Sequence, residues 1–260
     1  MIRKLFFHGF LLFGLSFSLF SQDTVKVPGL ITDRPTQSES PIVVPEGFLQ
    51  IETGFMHEFV SSDITNTFYN TTLLRYGLAK GLEIRLGMDY LKNFERLNGD
   101  DTQFITKGFT PVFISSKLHI ARERGIWPEV AFSAGVGIPK TGAGAYMTSH
   151  LAPSLKVIAL HTIGRNFSLG YNIVAAWDGE TAKPTGIYTV SLGIALSEDI
   201  GVFIENYAYF KKGLFDFRSD AGITWLIKRN LQVDLSGGLG LNHEASNCFI
   251  SCGISWRVPH

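Results

Sequence analysis

This chain has no excess of either charge: 23 basic residues stand against 23 acidic ones among 260. Without a basic surplus nothing points to nucleic acid, and without a basic run nothing points to a polybasic membrane patch. Cysteine is nearly absent, with only Cys248 and Cys252. On a strand, residues four apart share a face but stand about 13 Å apart, whereas a disulfide needs Cα atoms within about 7 Å. No other ligand type crowds them, so neither a disulfide nor a metal site is read, and both look like small apolar surface residues. Past the first twenty residues no apolar run approaches the roughly 18 residues of a membrane helix, and no helical period of apolar residues is present. Phosphate-binding motifs are missing too. "GVGIPKTGAG" (135–144) lacks the spacing of a P-loop or a dinucleotide fingerprint, so no cofactor or energy source is implied.

What is present is apolar and sheet-forming. At 45% hydrophobic the chain is too apolar for disorder. Its 27 glycines and 13% aromatics favour strands with tight turns over helices. Residues 1–21, "MIRKLFFHGFLLFGLSFSLFS", read as a secretory signal. Arg3 and Lys4 supply the positive start, Leu5–Phe20 the apolar stretch, and Ser21-Gln22 a cleavage point. An N-terminal membrane anchor is the alternative, but the run is short and no stop-transfer charges follow. Residues 22–46 are then expected to be an extended N-terminal segment on the periplasmic side, punctuated by Pro28, Pro35, Pro41 and Pro45, and residues 47–260 form one domain.

Strict alternation runs through that domain. In "LEIRLGMDY", Leu82, Ile84, Leu86, Met88 and Tyr90 point one way, and Glu83, Arg85, Gly87 and Asp89 the other. The pattern recurs through "LQVDLSGGLGL" and "CFISCGISWRV". It predicts twelve strands, near 47–60, 66–79, 81–91, 108–121, 127–138, 148–160, 167–177, 186–197, 200–210, 217–227, 231–241 and 248–258. Pro153 inside the sixth removes a ladder donor and predicts a bulge there. Short turns alternate with longer links at 92–107, 139–147, 178–185, 210–216 and 242–247, the layout of an outer-membrane barrel.

A soluble sandwich also has one apolar face per strand. Three features favour an all-β transmembrane antiparallel up-and-down barrel instead. The strands reach the roughly 9–11 residues that cross a bilayer at a tilt. Their polar faces are rich in glycine and serine, which suits a crowded lumen. Trp177, Trp225 and Trp256 fall on apolar faces near strand ends, where an aromatic girdle sits, whereas Trp127 is out of register. The inward charges are then Glu52, Glu58, Arg75, Glu83, Arg85, Asp89, Lys117, Glu129, Lys156, Glu205, Asp220, Asp234 and Arg257. They line a lumen, either as a wall that orients solute dipoles or as a self-satisfied salt-bridge lattice. Twelve tilted strands enclose a backbone diameter of about 24 Å and leave about 10 Å or less between side chains.

The segment before the first strand carries a resemblance. "ITDRPTQSESPIVVPEGFLQIETGF" presents Thr32-Asp33-Arg34-Pro35, then Glu39-Ser40-Pro41, then Gly47 and Gln50–Gly54. This resembles the start of a family of Gram-negative, Bacteroidetes-like outer-membrane proteins labelled transporters of the MetA pathway of phenol degradation. "LLRYGLAKGLEIRL" and the closing "GLGLN…FISCGISWRV" are similar to it as well. One departure is the end, Val258-Pro259-His260, where such barrels commonly close on an aromatic residue. The resemblance implies an outer-membrane barrel passing small, aromatic or hydrophobic solutes passively, with outer-membrane lipid and the barrel-insertion machinery as partners. Both mature termini would be periplasmic. A non-transporting structural or surface-binding barrel, working through its long loops, is the alternative.

An outer-membrane lipid-modifying enzyme is the weaker third reading, since it needs serine and histidine together on the lipid-facing wall. Ser115 and His119 share a face but stand about 13 Å apart along the strand. His150 beside Ser149 lacks an orienting carboxylate, and "KTG" at 140–142 has no accompanying Ser-x-x-Lys. "NGDD" at 98–101 reads as a solvated loop. Asp33 and Arg34 have a sharper expectation: a latch that pairs with inward charges and narrows the periplasmic mouth.

Overall fold

A computed structural model describes residues 29–96 and 103–259. The signal-peptide reading, Pro28 and the "NGDD" loop lie outside them. Among the described residues thirteen antiparallel strands follow one another: β1 Leu49–Phe59, β2 Ile64–Ala79, β3 Leu82–Arg96, β4 Gln103–Phe109, β5 Phe113–Ala121, β6 Glu129–Gly137, β7 Ala152–Ile163, β8 Phe167–Ala176, β9 Thr185–Ala195, β10 Ile200–Lys211, β11 Leu214–Lys228, β12 Leu231–Gly240 and β13 Cys248–Arg257. Each pairs with its sequence neighbour, apart from β4 and β5. Strand β1 pairs with β13 from Gln50↔Arg257 to Phe59↔Cys248 and closes the sheet.

The barrel has twelve staves, because β4 and β5 share one. Strand β4 lies against Tyr90–Arg96 of β3, and β5 against Leu82–Gly87. Pro111 breaks the stave by removing a ladder donor. Thr110 holds the broken end in place, its N–H donating to the Asp89 carbonyl at 2.8 Å. The expected long link at 92–107 is therefore much shorter, since alternation continues to Arg96 and resumes at Gln103.

Pro153 causes no bulge. It pairs in register with Val136, and its carbonyl accepts from the Trp177 N–H at 2.9 Å. The N and C=O of a strand residue point to the same side. Its missing donor therefore faces the end of the β7–β8 ladder, which begins only at Ser154↔Ala176.

Burial is inverted relative to a soluble sandwich. Gln50, Arg75, Glu83 and Lys117 are fully buried, whereas Ile84 and Leu86 are 44% and 42% exposed. Apolar side chains project outward around the cylinder and charged ones fill it, as a lipid-solvated barrel requires. Trp225 and Trp256 project outward near the short-turn rim. Trp177 lies just past β8 on the long-loop rim, where its indole N–H donates to the Ala182 carbonyl at 3.0 Å. Trp127, which the register argument excluded, stands 71% exposed in the β5–β6 turn at the short-turn rim. It adopts a bridge to Arg124 instead of a strand position, so strand parity does not apply to it.

Candidate functional site: a lumen filled by the N-terminal segment

Residues 29–46 do not extend away from the barrel or merely cap its mouth. They thread the lumen, deeper than the periplasmic placement and the latch at its mouth that the sequence suggests. Pro35, Pro41 and Pro45 prevent regular strand pairing, so the backbone amides of the segment need other acceptors. Wall carboxylates supply them. The Asp33 N–H donates to Glu52 at 3.0 Å and the Val44 N–H to Glu83 at 2.7 Å. The amides of Gln37 and Ser38 share Glu205, at 2.6 and 2.7 Å. An ionised carboxylate is acceptor-only with about four lone-pair sites, which suits an irregular run of donors.

The side chains of the segment face the opposite charges. Asp33 sits among Arg85 at 2.6 Å, Lys117 at 2.8 Å and Arg75 at 3.3 Å. Glu39 accepts from Arg85 at 2.7 Å and from Lys156, with Lys117 at 3.2 Å. Arg34 reaches Asp234 at 3.0 Å, Thr71 at 3.1 Å and Ser251 at 3.2 Å. Burial alone would raise the Asp33 carboxyl, but Arg75, Lys117 and Arg85 outweigh it and hold the group below the usual carboxylate range. Glu39 is held well below that range, with Arg85, Lys156 and Lys117 again outweighing burial.

Arg75 is the hub of the wall. Its guanidinium donates to Glu52 at 2.7 Å, to Glu83 at 3.0 Å and to the Ile42 carbonyl at 3.2 Å. The register sets Gln50, not Glu52, across from Arg75, so the Glu52 pair is diagonal. Removing one partner of such a buried set costs about 3–5 kcal/mol, because the other charges stay buried.

Of the lumen residues read from the sequence, Glu52, Arg75, Glu83, Arg85, Lys117, Lys156, Glu205 and Asp234 touch the segment. Arg257 joins them through the Gly29 carbonyl at 3.3 Å. Asp220 is buried next to Glu205 on the adjacent strand. Asp89 lines open lumen space. Glu58 belongs to a separate group nearer the long loops, paired with Arg218 at 2.6 Å. Glu129 pairs with His119 at 2.9 Å at the short-turn rim, which leaves that histidine away from Ser115. Sequence reasoning did not assign Glu39, Ser38, Gly54 or Gly253 to the site. The first two lie in the quoted segment, and the glycines sit on inward positions of β1 and β13.

Two cavities flank the segment. One, of about 520 Å³, opens among Leu160, Ser168, Gly170, Gly193 and Phe203 towards the short turns. The other, of about 460 Å³, lies among Met56, Asp89, Thr110 and Phe113 towards the long loops. Arg34, Pro35, Thr36 and Glu39 line both, so this stretch is the partition between them.

Residues 32–258 match the model of the family described as "Putative MetA-pathway of phenol degradation". Among solved structures, the chain is similar to an outer membrane channel from Pseudomonas putida F1, with TM-score 0.65 and 11% identity over 83% of this chain and 97% of that one. The KdgM porin aligns with TM-score 0.54 and 9% identity, over 80% and 99% of the two chains. The NanC porin aligns with TM-score 0.52 and 9% identity, over 81% and 100%. No curated protein matches by sequence. At these identities the likeness is one of fold, that of outer-membrane barrels.

Proposed function

The chain belongs to that family, and we propose that it is an outer-membrane channel for small solutes whose lumen is gated by residues 29–46. One observation carries this reading: two cavities on opposite sides of the barrel share a partition of a few residues. That partition is held by ion pairs and hydrogen bonds and is not part of the sheet. Moving it joins the cavities without breaking the barrel ladder. Passage is passive, and the chain acts as a channel and not an enzyme, in keeping with the channel and porin neighbours. The family description points to aromatic or similarly apolar small solutes. Leu160 and Phe203 beside the small residues of the short-turn cavity suit such a solute. The short turns and both chain ends face the periplasm in this reading, and the long loops face outward. Lipid surrounds the barrel, and the insertion machinery places it there.

The density of ion pairs around Asp33 and Glu39 favours a second reading, a permanently closed structural barrel. Conductance in planar bilayers separates the two. Deleting residues 31–40 should convert a nearly silent barrel into a conducting one. A deletion variant that keeps heat-modifiable migration on gels yet passes no current would falsify gating by this segment.

A further inference from the structure

The lipid-facing wall carries one feature that neither the lumen nor the gate explains. Lys92 of β3 and Lys107 of β4 are directly paired across the sheet, with side chains on the outward face. Like charges opposite one another are destabilising on a sheet, and charges on a barrel's lipid face cost more the deeper they lie. Among the described residues no carboxylate lies within ion-pair reach of either lysine. Their surroundings are apolar on both sides along the strands: the Tyr90–Phe109 pair below them and Phe94–Ile105 above. The rings of Tyr69 and Tyr90 stand 6.1 Å apart beside them, and those of Tyr90 and Phe109 5.1 Å apart. Tyr69, Tyr90, Ile105 and the two lysines enclose an outward groove of about 370 Å³.

Height decides what fills it. Ten residues from Leu82 at the short-turn rim to Lys92, at about 3.3 Å each and tilted about 40°, climb about 25 Å. The apolar band of such a barrel is about 25 Å tall. The lysine pair therefore sits where acyl chains give way to head groups, at the long-loop end. We infer that this groove binds the phosphorylated head group of an outer-leaflet glycolipid. Lys92 and Lys107 neutralise a phosphate, Tyr69 and Tyr90 offer hydroxyls to it, and Phe109, one pair below the lysines, meets the acyl chains. A phosphate dianion between two ammonium groups removes the like-charge repulsion and makes charge-assisted hydrogen bonds. The inference rests on the outward orientation of the long loops proposed above.

The test is native mass spectrometry of the full chain in phosphatidylcholine nanodiscs titrated with diphosphoryl lipid A. Wild type should retain the lipid, and Lys92→Gln/Lys107→Gln should bind it about tenfold or more weakly, the scale of losing charged hydrogen bonds. Lys80→Gln/Lys228→Gln removes two charges at the opposite rim and should bind as wild type does. Equal affinity in the Lys92/Lys107 variant overturns the site, as does equal weakening in the rim control. Inorganic phosphate that displaces the lipid at equal concentration overturns a lipid ligand in favour of the free anion. Protease cleavage of the long loops on intact cells tests orientation separately. Lipid A binding with loops protected from outside would overturn the outer-leaflet assignment and the orientation, but not gating by residues 29–46.

Discussion

Gly54 and Gly253 face each other across the β1–β13 seam, and the Arg34 guanidinium lies against both. A Cβ at Gly54 would fall 2.4 Å from the guanidinium carbon, and one at Gly253 would fall 2.2 Å from Arg34 Nε. The closing seam of the barrel is thus also the seat of the partition's cation. Gly54→Val should push Arg34 from Asp234 and loosen the partition while β1 and β13 stay paired. Single-channel recordings should show open events several times more often than in wild type. An unchanged trace from a folded variant would show that Arg34 can rearrange without opening a path.

Arg75→Met removes the hub and leaves Glu52, Glu83 and Asp33 without their shared cation. The expected destabilisation is about 3–5 kcal/mol, as for breaking a buried ion pair from one side. Limited proteolysis should then cut within residues 29–46 much faster, with the barrel fragment left intact. Lys156→Gln should have a smaller effect, since its side chain is 19% exposed and makes one of the three cation contacts of Glu39.

Acid should loosen the partition. Asp33 and Glu39 are held below their ordinary values by Arg75, Arg85, Lys117 and Lys156, against the opposing effect of burial. A depressed carboxylate contributes docking stability above its undocked pKa and loses it as pH falls through the docked one. Conductance should therefore stay near its neutral value down to the ordinary carboxylate range near 4 and rise as pH falls below it. In Asp33→Asn/Glu39→Gln the share of that response due to these two groups should vanish, and conductance should already be raised at neutral pH. A pH response identical to wild type would assign it to other lumen carboxylates.

Brominated lipids can locate the apolar band. Trp127, Trp225 and Trp256 lie at the short-turn rim and Trp177 at the other. Variants retaining only one of the first three should be quenched most by bromines near one head-group level. The variant retaining only Trp177 should be quenched less, because its indole is tied to the 178–184 loop through Ala182.

Where alternation is strict, the sequence is an accurate guide. Glu83 and Arg85 face in and Ile84 and Leu86 face out, as period two requires. Stave number, strand order and the inward charges follow from the same pattern. It fails where a residue is not a plain strand position. Trp127 sits in a bridged turn, Pro153 at the end of a ladder, and Pro111 at a break that splits one stave. The pairing of Glu52 with Arg75 is legible in outline, but its diagonal geometry depends on a bulge between Gly54 and Met56.

The sequence alone determined a β chain with a charged inner face and an apolar outer one, because side-chain period and composition are local properties. It marked residues 32–45 as unfit for a strand, since Pro35, Pro41 and Pro45 remove donors and fix φ. Only the tertiary structure decided where that stretch goes. Its amides and charges find partners on β1, β2, β3, β5, β7, β10 and β12 at once. No local rule brings those strands around one point; closure of the sheet does.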